Sequence, residues 1–273
     1  MLSNIPHASQ NQLKRWAKLL DAKFRLAEGL FLAEGVKVVE ELLKSDRQAE
    51  ALLVLPEKIS VWGKTIREAK SNVPTYQLTR PEWKKLSQDR EPEGLMAVVC
   101  TPGEPSVPSF LQSSGGHILI LHEINNPGNL GALIRSACWF GFSGILLSSN
   151  SVDWTNPKAV RASMGGVFSL TILSNIDIAA LLPELRRDYV LVGSDAHQGT
   201  APRALMKKAA LLLGSESHGL SDSLLRDVHE RWRIPGGGGT ESLSLPQAAA
   251  IMMYKIVDGV PRRVLDDKRV DGG

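Results

Sequence analysis

Cysteine is nearly absent from this 273-residue chain. Its two cysteines, Cys100 and Cys138, exclude a disulfide-built scaffold and a four-cysteine zinc site. They fit a reducing compartment, so a cytoplasmic location is expected. Aromatic residues make up only 5%. No apolar run approaches the roughly 18 residues of a membrane helix. The opening stretch MLSNIPHASQNQLKRW lacks the apolar core of a secretory signal. An excess of one charge is also missing: 32 Lys and Arg against 29 Asp and Glu leave +3. Nucleic-acid binding would therefore have to come from local basic patches, not from bulk charge. The histidines, His7, His117, His122, His197, His218 and His229, show no metal-ligand spacing, and no metal is expected. With 43% apolar and 22% charged residues, what is present has the proportions of a folded protein.

Residues 3–50 read as two helices. Ser9 can cap the first, which carries Leu13, Trp16, Ala17, Leu19 and Leu20 near helical spacing. Its other face holds Lys14, Arg15, Lys18, Lys23 and Arg25 against Asp21, leaving +4 over residues 1–25. That patch is either a solvated helix face or a phosphate-contacting surface. The second helix follows Phe31–Gly35. Short strands are predicted at 51–55, 76–78 and 95–100, with a short helix at 81–86. Residues 1–100 thus form an alternating α/β unit. Residues 101–109 contain three prolines and a glycine. Proline removes backbone donors and fixes φ, so 101–116 reads as a linker.

From 117 to 260 strands and helices alternate regularly. Strands are predicted at 117–124, 144–148, 168–173, 189–194, 209–214 and 232–234. Helices are predicted at 130–140, 157–164, 176–187, 202–207, 221–230 and 244–257. Near-continuous apolar strands separated by helices imply a parallel sheet covered on both faces. Residues 261–273 read as a polar tail.

Ligands of such sheets bind at the carboxyl ends of strands, which singles out three turns. The first, Asn125 to Gly131, has neither GxGxxG nor P-loop spacing. Pro127 and Gly128 suit a tight turn, Asn129 suits a helix N-cap, and Arg135 follows in the helix. A guanidinium near a helix start can grip phosphate; it can also be a surface ion-pair partner. The second turn, Gly214-Ser-Glu216-Ser-His-Gly219, places an acid between glycines after an apolar strand. Adjacent Ser217 and His218 do not make a nucleophile elbow, and no third triad member is identifiable. The third runs from Ile234 through four glycines and Thr-Glu to Ser242, Leu243 and Ser244. Its exposed backbone groups suit a polar ligand.

Taken in order, these turns resemble the three signature motifs of the SpoU-type (TrmH-like) branch of SPOUT RNA methyltransferases. The matching stretches are Asn129 to Arg135 and onward, Leu212 to Leu220, and Ile234-Pro235 through Glu241-Ser242-Leu243 into Ala248–Ala250. Arg25, Phe31–Gly35 and Glu93–Val98 resemble, more loosely, the ribosomal-protein-like substrate-binding domain attached to many such enzymes.

The resemblance implies a C-terminal methyltransferase domain with a deep trefoil knot. It implies S-adenosylmethionine held by Gly214, Ile234 and Leu243, and a homodimer with the site near its interface. The implied reaction is methyl transfer to a ribose 2′-hydroxyl in structured RNA. Large-subunit ribosomal RNA is the expected substrate, with transfer RNA as the alternative. By the same resemblance Arg135 is the key catalytic residue, with Asn129, Glu216, Ser242 and Ser244 around it. Lys23 and Arg25 are expected to touch RNA. One departure stands out: the family usually has Ser-Leu-Asn where this chain has Ser242-Leu243-Ser244. A noncatalytic RNA- or ribosome-assembly-binding relative is therefore a second reading.

Overall fold

Alternation along the strands decides which side each sheet presents to which layer. The computed structural model describes residues 5–69, 73–87, 89, 91–239 and 242–258. The N-terminal sheet contains β1 (Leu30–Glu34), β2 (Ala49–Val54), β3 (Thr75–Gln77) and β4 (Leu95–Cys100), in the order β1-β4-β2-β3. β4 runs antiparallel to both β1 and β2, and β3 runs parallel to β2. Leu30, Leu32, Leu53, Met96 and Val98 point to one side. There they pack with Leu13 and Trp16 of α1 (Gln10–Ala17) and with Trp83 of α5 (Arg80–Trp83). Phe31, Ala33, Leu52, Leu95 and Ala97 point to the other side, under α3 (Val36–Lys44). The remaining helices of this half are α2 (Ala22–Glu28) and α4 (Gly63–Glu68).

The C-terminal sheet is parallel throughout. It contains β5 (Ile118–Leu121), β6 (Gly144–Ser148), β7 (Thr171–Ile176), β8 (Val190–Ser194), β9 (Ala209–Leu213) and β10 (Glu230–Trp232), in the order β10-β8-β9-β5-β6-β7. Leu119, Leu121, Ile145, Leu211 and Leu213 face α7 (Pro127–Trp139), α8 (Pro157–Ala162) and α11 (Leu245–Val257). Ile118, Ile120, Leu146, Leu191 and Leu212 face α6 (Val107–Ser113), α9 (Ile178–Leu185) and α10 (Asp222–Arg226). Covering both faces removes the apolar strands from water, as a parallel sheet requires.

Several expectations are corrected. Where two helices are expected, residues 5–48 hold three α-helices and a strand; β1 is buried on both faces and lies between α2 and α3. The stretch 101–116 is not all linker. Pro108 sits in the first turn of α6, where its missing N–H costs nothing, and Phe110 is buried in the core. Residues 202–207 form no helix. Phe168 closes a 3-10 turn, and the strand expected from 168 begins at Thr171. The predicted tail, 261–273, lies outside the described residues.

Two imidazoles stitch the C-terminal sheet. His117 Nδ1 accepts the Ala209 N–H at 3.0 Å, and His229 Nδ1 accepts the Leu191 N–H at 2.9 Å. Burial holds both below the ordinary value of 6.5. For His229 the Arg186 charge adds to that effect, and Glu230 opposes it. Each group binds its proton more readily when unfolded, so stability is full above that value and falls as pH drops through the depressed folded values. Thermal unfolding between pH 7.5 and 5 should show this loss, and His117→Gln should flatten part of it.

Candidate functional site

The first two turns meet at the carboxyl edge of the sheet because β5 and β9 are neighbours, with Leu121 paired to Leu213. The His122 N–H donates to the Leu213 carbonyl at 2.9 Å, extending that pairing into the turns. The α7 cap is Asn126, not Asn129. Asn126 Oδ1 accepts from the N–H groups of Gly128 at 2.8 Å and Asn129 at 3.1 Å. Pro127 fills the first helical position, where no donor is needed. With the cap supplied by Asn126, the Asn129 side chain is available for another partner. Its Nδ2 donates to Glu216 Oε1 at 2.9 Å, joining two positions 87 residues apart.

The second turn leaves no room at its first residue. A Cβ on Gly214 would lie 2.1 Å from the carbonyl carbon and oxygen of Gly219. The turn closes through the Gly219 N–H, which donates to the Ser215 carbonyl at 2.9 Å. Ser217 Oγ and His218 Nδ1 are 2.8 Å apart and exposed. Among the described residues no carboxylate pairs with that imidazole, so the pair lacks the orienting group of a triad.

Arg135 lies two turns into α7, exposed, with no hydrogen-bond or ion-pair partner among the described residues. Trp139, one turn further along the same face, is 80% exposed. A permanent cation held on a helix and aimed at solvent can receive a phosphate.

The third turn runs from the end of β10 to the start of α11. Ile234 is half-buried against the core, and Leu243 is exposed. Between them, Cβ atoms on Gly236 to Gly239 would meet nothing within 4 Å. This open backbone between two apolar side chains fits a group with a flat apolar ring and polar edges. Thr240 and Glu241 of the third motif lie outside the described residues. Ser242 is exposed. Ser244 caps α11, and its N–H donates to Gln247 Oε1 at 3.4 Å in a capping box. α11 packs along α7, with the Phe140 and Tyr254 rings 6.3 Å apart.

The expectation for Arg25 is corrected. Its side chain is only 3% exposed, and its guanidinium pairs with Asp153 at 2.7 Å. It is spent inside the protein and cannot meet a phosphate. Lys23 is exposed.

A cleft of about 360 Å³ opens elsewhere on the carboxyl edge, lined by His122, Ser148, Asn150, Asp177 and Ser221 among others. None of the motif side chains lines it. No cluster of three or more metal-binding side chains occurs among the described residues. No helix there is long and apolar enough to cross a membrane.

The sequence model of the SpoU rRNA Methylase family matches residues 116–254, spanning all three turns. The chain belongs to that family. The SpoU part of this methylase is preceded by a match to the MRM3-like substrate binding domain over residues 10–97. The methylase is 27% identical to the 23S rRNA (guanosine(2553)-2'-O)-methyltransferase RlmP of Bacillus subtilis, over 93% of this chain and 99% of that one. It is 28% identical to the 23S rRNA (uridine(2479)-2'-O)-methyltransferase of Streptomyces viridochromogenes, over 90% of this chain and 89% of that one. Among solved structures it resembles the SpoU methyltransferase AviRb from Streptomyces viridochromogenes in complex with AdoMet. The TM-score is 0.77 at 26% identity, covering 90% of this chain and 97% of that one.

Proposed function

We propose that this SpoU-family methylase transfers a methyl group from S-adenosylmethionine to a ribose 2′-hydroxyl of large-subunit ribosomal RNA. The observation that carries the reading is the meeting of the first two motifs: Asn129 bonded to Glu216 at 2.9 Å, on the helix that presents Arg135. RlmP and the Streptomyces enzyme, similar over nearly their whole lengths, are both named as 23S rRNA 2′-O-methyltransferases.

Gly214, Ile234 and Leu243 hold the methyl donor, chiefly through backbone groups, with Leu243 supplying apolar contact. When bound, its sulfonium supplies an already activated methyl group. The remaining work is alignment and removal of a proton from a weakly acidic hydroxyl. Arg135 clamps the phosphate beside the reacting ribose and stabilises negative charge as the hydroxyl loses its proton. That phosphate is the proposed proton acceptor, because a guanidinium has no free lone pair to offer as a base. Asn129 and Glu216 shape the site next to Arg135. Ser242 and Ser244 border it from the third turn, with Ser244 also starting α11.

Incubation with radiolabelled S-adenosylmethionine and total RNA, followed by separation by size, tests the reading. Label in large ribosomal RNA is expected. Label in transfer RNA would overturn the substrate, and no label with the donor still bound would favour a noncatalytic RNA-binding protein.

The methylase acts as a cytoplasmic homodimer through the exposed faces of α7 and α11. Trp139 is 80%, Tyr254 45% and Ile251 40% exposed there, and Trp139 lies one turn along α7 from Arg135. Exposed apolar side chains gathered on neighbouring helices suit an interface. Trp139→Glu should shift the protein to a monomer in light scattering and lower turnover with it. The trefoil knot belongs to the same reading. It is supported by the Leu205 N–H, which donates to the Ile256 carbonyl at 3.3 Å and lays the loop before β9 against α11.

RNA is gripped in part by the N-terminal unit. Of the basic residues at its start, Arg15 pairs with Glu28 and Glu50, which leaves Lys14, Lys18 and Lys23 exposed. Replacing these three with Glu should weaken RNA binding severalfold and lower the slope of log affinity against log salt by about three. An unchanged slope would make the patch a solvated face.

A further inference from the structure

Arg25 is bonded to more partners than any other arginine among the described hydrogen bonds. Nη2 donates to Asp153 Oδ2 at 2.7 Å, and Nε donates to Asp153 Oδ2 at 2.9 Å and Thr155 Oγ1 at 3.0 Å. Nη1 donates to the carbonyls of Leu19 at 3.0 Å and Leu20 at 3.2 Å. A buried guanidinium persists only when its donors are met in this way. Arg25 belongs to the N-terminal unit. Asp153 lies in the segment that leaves the carboxyl end of β6, on the edge that carries the methyl-transfer turns.

That segment is clipped to the first motif. The Val152 N–H donates to the Ile124 carbonyl at 2.7 Å, and the Ile124 N–H donates to Ser151 Oγ at 3.2 Å. Two residues beyond Ile124, Asn126 caps the helix bearing Asn129 and Arg135. A short path of bonds thus runs from the N-terminal unit to the reaction centre.

Other contacts close the same joint. The Phe31 ring lies 5.5 Å from Trp154 and 6.5 Å from Phe168. Arg47 donates to the Leu170 carbonyl at 3.2 Å, and Arg161 pairs with Asp89. A Cβ on Gly165 would lie 2.4 Å from the Glu41 Cβ, so backbone is pressed against helix. Apolar contacts are non-directional and would tolerate several angles between the units. A charge-assisted pair made by two guanidinium nitrogens selects one.

We propose that Arg25 is a positioning residue: its pairing with Asp153 holds the N-terminal unit in register with the methyl-transfer centre. An RNA gripped by the N-terminal unit then presents one particular ribose to Arg135. This rests on the ribosomal-RNA methyl-transfer reading for its consequence, but not for the joint itself.

The test uses the full chain carrying Arg25→Ala, Asp153→Asn, and both, with a transcribed large-subunit RNA fragment. Affinity for S-adenosylmethionine and for RNA should stay within about threefold of wild type. Turnover at the wild-type ribose should fall by about tenfold or more, because a displacement near 1 Å can cost on the order of a hundredfold. Methyl groups should appear on neighbouring riboses, an outcome that loss of stability alone would not produce. The double variant should be no worse than the weaker single one, since both remove the same bond. Unchanged turnover at the single wild-type ribose, or donor affinity falling in step with turnover, would overturn the proposal. Hydrogen exchange over 19–25 and 149–156 reads the joint without methyl transfer and should rise in Asp153→Asn. Unchanged exchange there would overturn the proposal whatever the activity, whereas a wild type that methylates no RNA would sink only the enzymatic reading. The Asp153 side chain is 35% exposed, so this variant keeps the test open if Arg25→Ala fails to fold.

Discussion

Arg135→Ala is expected to lower turnover by about 10²–10³-fold while leaving affinity for S-adenosylmethionine within about threefold. The loss is large because, in the proposed mechanism, the guanidinium acts on charge that develops only as the hydroxyl reacts. In the proposed mechanism, binding of the methyl donor draws on other residues, in the second and third turns. Folding should be untouched, since the side chain is exposed and has no partner among the described residues. Arg135→Lys separates two accounts of the same residue. Lysine keeps the charge but not the planar fork, so a clamp predicts a rate close to that of alanine. Full turnover with lysine in single-turnover kinetics would reduce Arg135 to a source of field. Arg135→Ala at wild-type turnover would remove it from the site altogether.

Gly214→Ala should act in the opposite order, on donor binding and stability before chemistry. The added carbon would sit 2.1 Å from Gly219 and 2.4 Å from the Leu220 nitrogen, all of it backbone. Backbone cannot yield as a flexible side chain does, so the turn from Ser215 to Gly219 must lift away from β9. Glu216 rides on that turn and would be drawn off Asn129. A stability loss of about 1–3 kcal/mol is expected. A fall of about tenfold or more in donor affinity should accompany it, which is on the order of 1.4 kcal/mol. Calorimetric titration beside thermal unfolding checks both, and donor affinity at the wild-type level would place the cofactor elsewhere.

The C-terminal alternation could be read from the chain because its strands are short apolar runs between helices with capping residues. β6 falls on the predicted 144–148. β1 is not legible in the sequence, because Leu-Phe-Leu-Ala-Glu is buried on both faces and shows no period-2 signal to set it apart from the helices on either side. The α7 cap lies three residues before Asn129, at Asn126-Pro127, because an asparagine before a proline is a stronger helix start than one after a glycine. Arg25 could not have been placed correctly from its surroundings. Its neighbours in sequence are lysines on an exposed face, and its partner lies 128 positions away. The same limit applies to Asn129 and Glu216, whose meeting depends on β5 and β9 being adjacent. Strand order in a parallel sheet is not written in local pattern. Those two residues entered the candidate site through the order of three motifs, each weak by itself.

One apolar cluster runs without a break from the N-terminal sheet, through Phe31 and Ala33, to Trp154, Val160 and Phe168 beside the catalytic sheet. The halves are distinct as sheets but share this interior. A chain of this kind cannot easily trade its front half for another during evolution. A newly recruited substrate-binding unit would have to arrive with complements to Trp154, Phe168 and Asp153, or leave them bare. New RNA targets are therefore more readily reached by altering the outer surface of the existing unit than by exchanging it.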